Sequence, residues 1–238
     1  MTILVVSAVL FLAAFVRSLA GFGDALIAMP LLAAAVGLTV ATPVVGLATV
    51  VISVAVLATS WRSLDLGTSW RLLLASAAGM PFGLLLLTRV DEWVMHVLLG
   101  GVLVGYGLYN LLRPGLPALH REGWAFPFGF VAGVLGSAYN TSGPPVIVYG
   151  TMRRWPPDTF RATLQGFFLV NSLMIVASHG LAGLWTPMVW ELVLWSMPAL
   201  LLGIAAGIAV QRRIPAASFG RLVYALLVAI GVLMLLPL

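Results

Sequence analysis

The chain has 238 residues, of which 62% are hydrophobic and 8% are charged, and its mean hydropathy is +1.12. Soluble globular domains carry about 25% charged residues, so this composition excludes a soluble enzyme and predicts a protein that crosses the lipid bilayer several times. The net charge is +5, and all 12 basic residues are arginines in short segments between apolar runs. They indicate membrane topology rather than nucleic-acid binding. The lack of cysteine excludes disulfides and thiol chemistry.

The first half of the chain begins with a predicted membrane span over residues 2–20, which Gly21-Phe22-Gly23-Asp24 interrupts. A short apolar helix is predicted over 25–37, too short to cross about 30 Å of hydrocarbon. The loop Trp61–Trp70 and the polar linker Arg113–Gly123 separate the later elements. Those elements are three further predicted spans, at 40–60, 71–88 and 93–112.

The second half follows the same scheme. Its first helix is predicted over 124–138 and runs into a polar, helix-breaking stretch, Ala138-Tyr139-Asn140-Thr141-Ser142-Gly143-Pro144-Pro145. Proline removes a backbone donor and clashes with the preceding turn. Broken backbone survives in hydrocarbon only where protein or a water-filled cavity satisfies it, so the stretch predicts a contact with something polar. The remaining predicted elements are a short helix at 145–151 and spans at 159–178, 188–210 and 218–237.

The two halves are weakly alike in sequence. Aligning Phe15 with Phe130 places the Gly21–Asp24 break on Gly136–Tyr139, and the later spans align at a slightly larger offset. We therefore predict an internal repeat within one membrane domain, with two units, residues 1–118 and 119–238.

Loop arginines predict the orientation of these units. Four segments carry them, which the positive-inside rule assigns to the cytoplasm: around 62–71, 113–121, 153–154 and 212–221. The acidic 89–92 loop and the uncharged 179–187 loop then face outward, as do both termini. Each broken element returns to the side of the membrane from which it enters. Because each half has five helical elements, an odd number, the second half is predicted to be inverted relative to the first. The predicted fold is all-α, with two inverted repeats of a re-entrant helix hairpin plus three transmembrane helices, as in secondary transporters.

The second break precedes a short helix, whose first N–H groups are free and form the positive end of the helix dipole. Such an end is a ready anion site. Four consecutive residues can donate to an anion there: Asn140, Thr141, Ser142 and Gly143. The alternative is that they only cap the helix. At the matching tip of the first half, Gly21 and Gly23 permit close backbone approach to a ligand, or else tight helix packing.

Asp24 places an acid near the predicted bilayer midplane, where ionisable residues are costly and functional by default. It could carry a coupling proton, since burial favours the neutral form of a carboxyl. It could instead pair with Arg161 or with Arg17, although Arg17 lies beyond the i,i+4 reach. Arg161 and Gln165 share a helix face, and we assign Gln165 to the substrate pathway. The Arg161 fork suits oxyanions, or the residue is a snorkelling anchor near the cytoplasmic end.

Two segments carry a family resemblance. Gly21-Phe22-Gly23-Asp24-Ala25-Leu26-Ile27-Ala28-Met29-Pro30-Leu31-Leu32 resembles the first signature of the TauE/SafE (TSUP) family of sulfite and organosulfonate exporters, although Asp24 stands where the family often has glycine. A second resemblance, to the family's second-half signature, lies in the segment Asn140-Thr141-Ser142-Gly143-Pro144-Pro145-Val146-Ile147-Val148-Tyr149, followed by Trp155, Phe160-Arg161 and Phe167-Phe168. The resemblance covers almost the whole chain.

The resemblance implies a bacterial inner-membrane transporter that exports sulfite or organosulfonates by alternating access, with its substrate between the two hairpin tips. Its partners would be a small anion, the bilayer and coupled protons, with no cofactor, metal or catalytic residue. The rivals are an anion channel, a transporter of another small carboxylate or oxyanion, a structural subunit, and an intramembrane enzyme built from Asp24, Ser142 and His179. No GxSxG, HExxH or P-loop motif occurs, which argues against hydrolysis and ATP-driven transport by this chain.

Overall fold

In the computed structural model of the chain, the described residues are 1–60, 66–112, 115–211 and 216–235. Four loop arginines on which part of the predicted topology rests lie outside these ranges: Arg62, Arg113, Arg212 and Arg213. Within the ranges, some side chains are also outside the description, those of residues 20, 56–60, 66–68, 157–158, 161, 211 and 216–222.

The described residues form ten α-helices and one turn of 3-10 helix at Glu122–Trp124, and none of them is in a β-strand. The helices are α1 (Thr2–Ala20), α2 (Asp24–Val36), α3 (Leu38–Ser60), α4 (Leu66–Arg89), α5 (Glu92–Leu112), α6 (Ala125–Tyr139), α7 (Gly143–Met152), α8 (Pro157–Leu181), α9 (Pro187–Gln211) and α10 (Ala216–Leu235). Six of these described helices are long and apolar enough to cross a membrane, namely α1, α3, α4, α5, α8 and α9. The predicted all-α polytopic membrane fold is confirmed.

Three helices next to the breaks are short. The helices α2, α6 and α7 have 13, 15 and 10 residues. At 1.5 Å per residue they are about 20, 22 and 15 Å long, less than the hydrocarbon thickness of about 30 Å. None of the three can cross the bilayer alone. The turns beside them, at residues 21–23 and 140–142, therefore lie inside the protein.

Close packing pairs helices from opposite halves of the chain. The helix α1 lies along α9, α4 along α6, and α5 along α10, while α3 and α8 contact each other. The α1–α9 and α4–α6 contacts depend on glycines four residues apart, Gly203 and Gly207 on α9 and Gly79 and Gly83 on α4. A Cβ atom at any of them would press on a backbone carbonyl oxygen of the partner helix. Small residues that let backbones approach are the usual basis of helix association in membranes.

Contacts at the helix ends divide the loops between the two ends of the bundle. The Leu38 N–H at the start of α3 donates to the Glu92 carboxylate at the start of α5 (3.0 Å), so the α2–α3 and α4–α5 junctions lie together. At the opposite end of α4, Arg71 pairs with Glu122, and Arg153 after α7 donates to two linker carbonyl oxygens. This grouping agrees with the predicted grouping of the loops. Which end faces the cytoplasm stays a prediction.

The two breaks have the same local form. The helices α1 and α6 end at the left-handed residues Gly21 and Asn140, and α2 and α7 begin at Asp24 and Gly143. The members of each pair are 119 residues apart, whereas aligning the apolar helices by sequence gives 115. The difference is about one helical turn: the second break follows Tyr139 instead of lying within Gly136–Tyr139. The internal repeat itself stays a prediction.

Candidate functional site

Glycines build the first turn of the site. Gly21 (φ 85°) and Gly23 (φ 100°) both adopt the left-handed backbone conformation, which residues with a Cβ atom rarely tolerate. The Gly21 N–H donates to the Arg17 carbonyl oxygen (2.7 Å) and so ends α1. The chain reverses within three residues, and α2 starts at Asp24 beside the last turns of α1.

The second turn is held by Asn140, whose φ of 55° is also left-handed; asparagine visits this region more readily than most residues. Its backbone N–H donates to the Gly136 carbonyl oxygen (2.7 Å). Its side-chain amide donates to the Thr42 carbonyl oxygen on α3 (2.7 Å). The Thr141 N–H closes the end of α6 by donating to Leu135 (3.2 Å). Asn140 and Thr141 therefore close the C-terminus of α6, whereas the sequence alternative was that they cap the start of the following helix, α7.

A small cavity of about 30 Å³ lies between the two turns, more than the roughly 10–15 Å³ that a single water molecule needs. Both halves of the chain line it: Arg17, Phe22–Leu26 and Thr49 from the first, and Asn140–Pro144, Phe168, Asn171, Ser172 and Ile175 from the second. The two sequence breaks therefore meet at one place.

Two helices direct their N-termini at this cavity. The helices α2 and α7 begin at Asp24 and Gly143, and their first residues line it. Each N-terminus carries free N–H groups and about half a positive charge. In α7, Pro144 and Pro145 have no N–H, so its backbone donors at the cavity are those of Ser142 and Gly143. The Ser142 hydroxyl makes no capping hydrogen bond to α7, which leaves it available to a ligand.

A buried ion pair forms part of the cavity wall. Arg17 Nη1 donates to Asp24 Oδ1 at 2.9 Å, and both side chains are at least nine-tenths buried. Ser53 on α3 accepts a second bond from Arg17 Nη2 (2.9 Å), and the Thr49 hydroxyl donates to Asp24 Oδ2 (2.7 Å). The guanidinium carbon also lies 5.2 Å from the ring centroid of Phe168, within the range of a cation–π interaction. Arg17 is thus held by α2, α3 and α8 together.

This ion pair gives Asp24 one of the two partners that the sequence offers. Asp24 follows Arg17 by seven residues, whereas side chains on one continuous helix are neighbours at spacings of three or four residues. Because the turn at Gly21–Gly23 folds α2 back against α1, the two side chains nevertheless meet. Proton coupling by Asp24 stays a proposal.

The helix α8 supplies an unused hydrogen-bond donor. Asn171 is buried and lines the cavity, and its Oδ1 accepts from the Ser76 hydroxyl on α4 (2.6 Å). Its Nδ2 has no hydrogen-bond partner among the described residues. A buried donor without a partner costs about 1–3 kcal/mol. Such a group beside two helix N-termini indicates a place for a ligand with acceptor atoms.

The predicted substrate residues divide into three groups. Five of them line the cavity: Asn140, Thr141, Ser142, Gly143 and Gly23. Gly21 caps α1 and Gln165 lies six residues before Asn171 on α8, and neither is among the lining residues. The side chain of Arg161 lies outside the described part of the chain.

The sequence analysis does not assign three polar residues of the cavity wall, Arg17, Thr49 and Ser172, to ligand contact, and it places Asn171 only roughly on the helix face of Arg161 and Gln165. Each is a polar side chain inside an otherwise apolar span. That isolation is the signal that could have found them, because polar side chains in membrane spans face the interior of the protein or a cavity.

The side chains considered for an intramembrane enzyme do not come together. His179 Nε2 bonds to the Ser137 carbonyl oxygen (2.9 Å), and Asp24 bonds to Arg17 and Thr49. His179 is also not among the residues that line the cavity. Within the described ranges, no group of three or more His, Cys, Asp or Glu residues is placed to hold a metal ion.

The family described as sulfite exporter TauE/SafE matches residues 6–234, nearly the whole chain. The chain belongs to this family. No curated protein and no solved structure matches it.

Membership in the TauE/SafE family confirms the resemblance carried by the two break segments, both of which fall inside the matched region. Together with the six candidate spans, it makes the protein a multi-pass membrane transporter of the sulfite exporter family. Membership in a transporter family is consistent with the expectation that the protein is not an enzyme.

Proposed function

We propose that the protein is a secondary transporter that exports sulfite or an organosulfonate across the bacterial inner membrane, by alternating access around the cavity between the two turns. One observation carries the proposal. The N-termini of α2 and α7 converge on a single cavity, whose wall also holds the unpaired Nδ2 of Asn171. Helix N-termini attract anions, and broken helices use them in this way for anionic substrates in transporters.

The donors around the cavity suit a sulfur oxyanion, which presents several acceptor oxygens. We assign its contacts in the second half to the Ser142 hydroxyl, the Gly143 N–H and Asn171 Nδ2. In the first half we assign them to the N–H groups at the start of α2, beside Gly23. Asn140 and Thr141 shape the turn, while Gln165 and Arg161 belong to the path along α8 rather than to the cavity.

Alternating access also fits a two-fold relation between residues 1–118 and 119–238. If each helix of α1–α5 is replaced by its counterpart in α6–α10 and the reverse, the α1–α9 contact becomes the α6–α4 contact, and the α5–α10 contact maps onto itself. At the α5–α10 contact, counterparts are 124 residues apart, so Gly100 corresponds to Tyr224 and Gly107 to Gly231. A Cβ atom at Gly100 would meet the Gly231 carbonyl oxygen, and one at Gly107 would meet that of Tyr224. Because each half has five helices, we infer that the second is inverted and that both termini lie outside.

The size of the cavity bears on the transport cycle. About 30 Å³ is too little for a sulfonate with its organic substituent. We assign this arrangement to a closed stage of the cycle, in which the cavity is too narrow for the substrate, and substrate enters when one of the turns moves away. A closed stage of this kind favours a carrier over a continuously open channel.

Flux measurements on the full-length protein in proteoliposomes test the proposed function. We expect saturable flux of at least one anion among sulfite, taurine, isethionate and sulfoacetate. Flux that rises linearly with concentration would support the rival channel. No binding and no flux for any of these anions, in protein that stays folded, would refute the proposal.

Replacing Asn171 by leucine is expected to weaken binding of the transported anion by roughly tenfold to a hundredfold, because a hydrogen bond to a charged partner contributes about 1.5–3 kcal/mol. Titration calorimetry on the purified variant measures this change. The matched control is Ser76→Ala, which removes the 2.6 Å bond to Asn171 Oδ1 but keeps the Nδ2 donor. Parent-like affinity in folded Asn171→Leu would show that Nδ2 does not contact the anion.

A further inference from the structure

The cavity proposed for an oxyanion already contains an anion of its own. The Asp24 carboxylate binds the guanidinium of Arg17, and these two are the ionisable side chains among the described residues that line the cavity. An incoming oxyanion and Asp24 would therefore compete for the same cation. The competition determines what the transporter can bind and what must accompany it.

Each partner of the pair keeps a second contact that does not depend on the other. Arg17 retains Ser53 through Nη2 (2.9 Å) and the face of Phe168 at 5.2 Å. Asp24 retains the Thr49 hydroxyl at 2.7 Å. When the pair separates, Arg17 stays oriented toward the cavity, and the neutral carboxylic acid still has a hydrogen-bond partner.

The second break carries no matching charge. At the 119-residue spacing of the two breaks, Gly136 and Gly143 stand where the first half has Arg17 and Asp24. Among the described residues that line the cavity, the opposite wall contributes backbone N–H groups and the Ser142 hydroxyl, but no second cation. Within that described lining, one full positive charge is available to one bound anion.

We propose that the transported oxyanion binds Arg17 in place of the Asp24 carboxylate, and that Asp24 takes up one proton from solution as the pair opens. This inference rests on the proposed function. The balance is simple: a carboxylate and a proton become a carboxylic acid, and the anion becomes the partner of the guanidinium. The net charge inside the cavity is zero before binding, when Arg17 and Asp24 are both ionised, and zero after it, when the cavity holds Arg17, the neutral Asp24 and a monovalent anion.

Charge balance names the substrate class. Charges that are buried without a partner are strongly unfavourable, and inside a membrane protein they are rarer still. A monovalent oxyanion, such as hydrogensulfite or an alkyl sulfonate, leaves the cavity neutral after one proton is bound. A dianion such as sulfate leaves one uncompensated negative charge. The cavity therefore selects monovalent sulfur oxyanions.

The surroundings contain no competing titratable group that lines the cavity in the described part of the chain. The helix α3 presents the Thr49 hydroxyl to the cavity and the Ser53 hydroxyl to Arg17, and α8 presents an amide, a hydroxyl and an aromatic ring to the cavity. The turn before α7 presents Asn140 and two hydroxyls. The helix α10 contributes the Tyr224 ring, which stacks on Phe22. His179, farther along α8, is bound to a backbone carbonyl oxygen outside the cavity.

The test uses methanesulfonate, whose sulfonate stays ionised, on the full-length protein in detergent. Calorimetry in two buffers of different ionisation enthalpy counts the protons taken up per anion bound. If the Asp24 carboxylate is replaced at Arg17 by the anion, we expect the parent to take up about one proton per anion bound. We also expect its affinity for methanesulfonate to fall about tenfold for each unit by which the pH is raised. We expect sulfate to bind more weakly than methanesulfonate.

The variant Asp24→Asn is expected to bind methanesulfonate without proton uptake and with an affinity that does not change with pH. The added anion should also raise its thermal stability more than that of the parent, because it restores a partner to Arg17. The matched control is Asp91→Asn, an exposed acid between α4 and α5, which should behave like the parent. The proton count on the parent needs no variant, so the test survives if Asp24→Asn does not fold.

Methanesulfonate binding to the parent without proton uptake, or binding to Asp24→Asn with the parent's pH dependence, would overturn the inference while leaving the proposed function intact. If folded parent protein binds neither methanesulfonate nor hydrogensulfite at any pH, the inference fails, and the proposed function fails with it when taurine, isethionate and sulfoacetate also show neither binding nor flux.

Discussion

Replacing Arg17 by leucine is expected to destabilise the folded protein by about 3–5 kcal/mol, because Asp24 is left as a buried charge without its partner. Arg17 is 4% exposed and contacts residues of α2, α3 and α8, so its loss loosens three helices at once. The measurement is the thermal unfolding of the purified protein in detergent, followed by intrinsic fluorescence. Under the proposed mechanism the same variant also loses anion binding.

Two further variants make this result interpretable. Arg71→Leu removes an arginine from an exposed ion pair with Glu122 and is expected to cost only about 0–1 kcal/mol. The double variant Arg17→Leu/Asp24→Leu removes both buried charges and is expected to recover most of the stability, since apolar pairs can replace buried ion pairs at little cost. A double variant as unstable as Arg17→Leu alone would contradict the electrostatic explanation.

Replacing Gly133 by alanine is expected to lower the stability of the folded protein by about 3 kcal/mol, at the upper end of the usual cost of overpacking. A Cβ atom at Gly133 on α6 would overlap the backbone carbonyl oxygen of Ser76 on α4. Backbone cannot move aside as a flexible side chain can, so α6 must shift. Because α6 leads into the second turn, the cavity is expected to lose anion binding as well.

The control for this prediction is Gly101→Ala on α5, where the added Cβ atom meets nothing within 4 Å. Alanine is the better helix former by about 1 kcal/mol, so this variant should be as stable as the parent or slightly more stable. Size-exclusion profiles and unfolding temperatures of the two variants give the comparison. Equal stability of Gly133→Ala and Gly101→Ala would mean that the α4–α6 contact is looser than described.

The elements of the fold are largely predictable from the sequence, because apolar runs and polar breaks have few solutions in hydrocarbon. The break before Pro144 and Pro145 is found from residue types alone, and it lines the cavity. The register between the halves is less accessible. The alignment that matches Phe15 with Phe130 follows apolar residues that face many different neighbours, whereas the structural match follows the two left-handed helix ends.

The wall of the cavity is harder to predict, since it depends on contacts between residues far apart in the chain. Arg17 and Asp24 read as too distant when one continuous helix is assumed, and only the double glycine turn brings them together. Asn171 becomes informative only when Ser76, 95 residues earlier, is seen to bind its oxygen and leave its nitrogen free. The periodicity of apolar residues along one helix does not show which side chains of other helices it contacts.

The pairing of helices across the two halves has a consequence for biosynthesis. The helix α1 is made well before α9, the helix that it contacts most, and the hydrogen bond from Ser7 to Ser196 joins residues 189 positions apart. Contacts of such long sequence separation slow folding. The face of α1 that fits the α9 glycines therefore stays uncovered in the membrane until α9 has been synthesised, and a chain truncated before α9 cannot cover it.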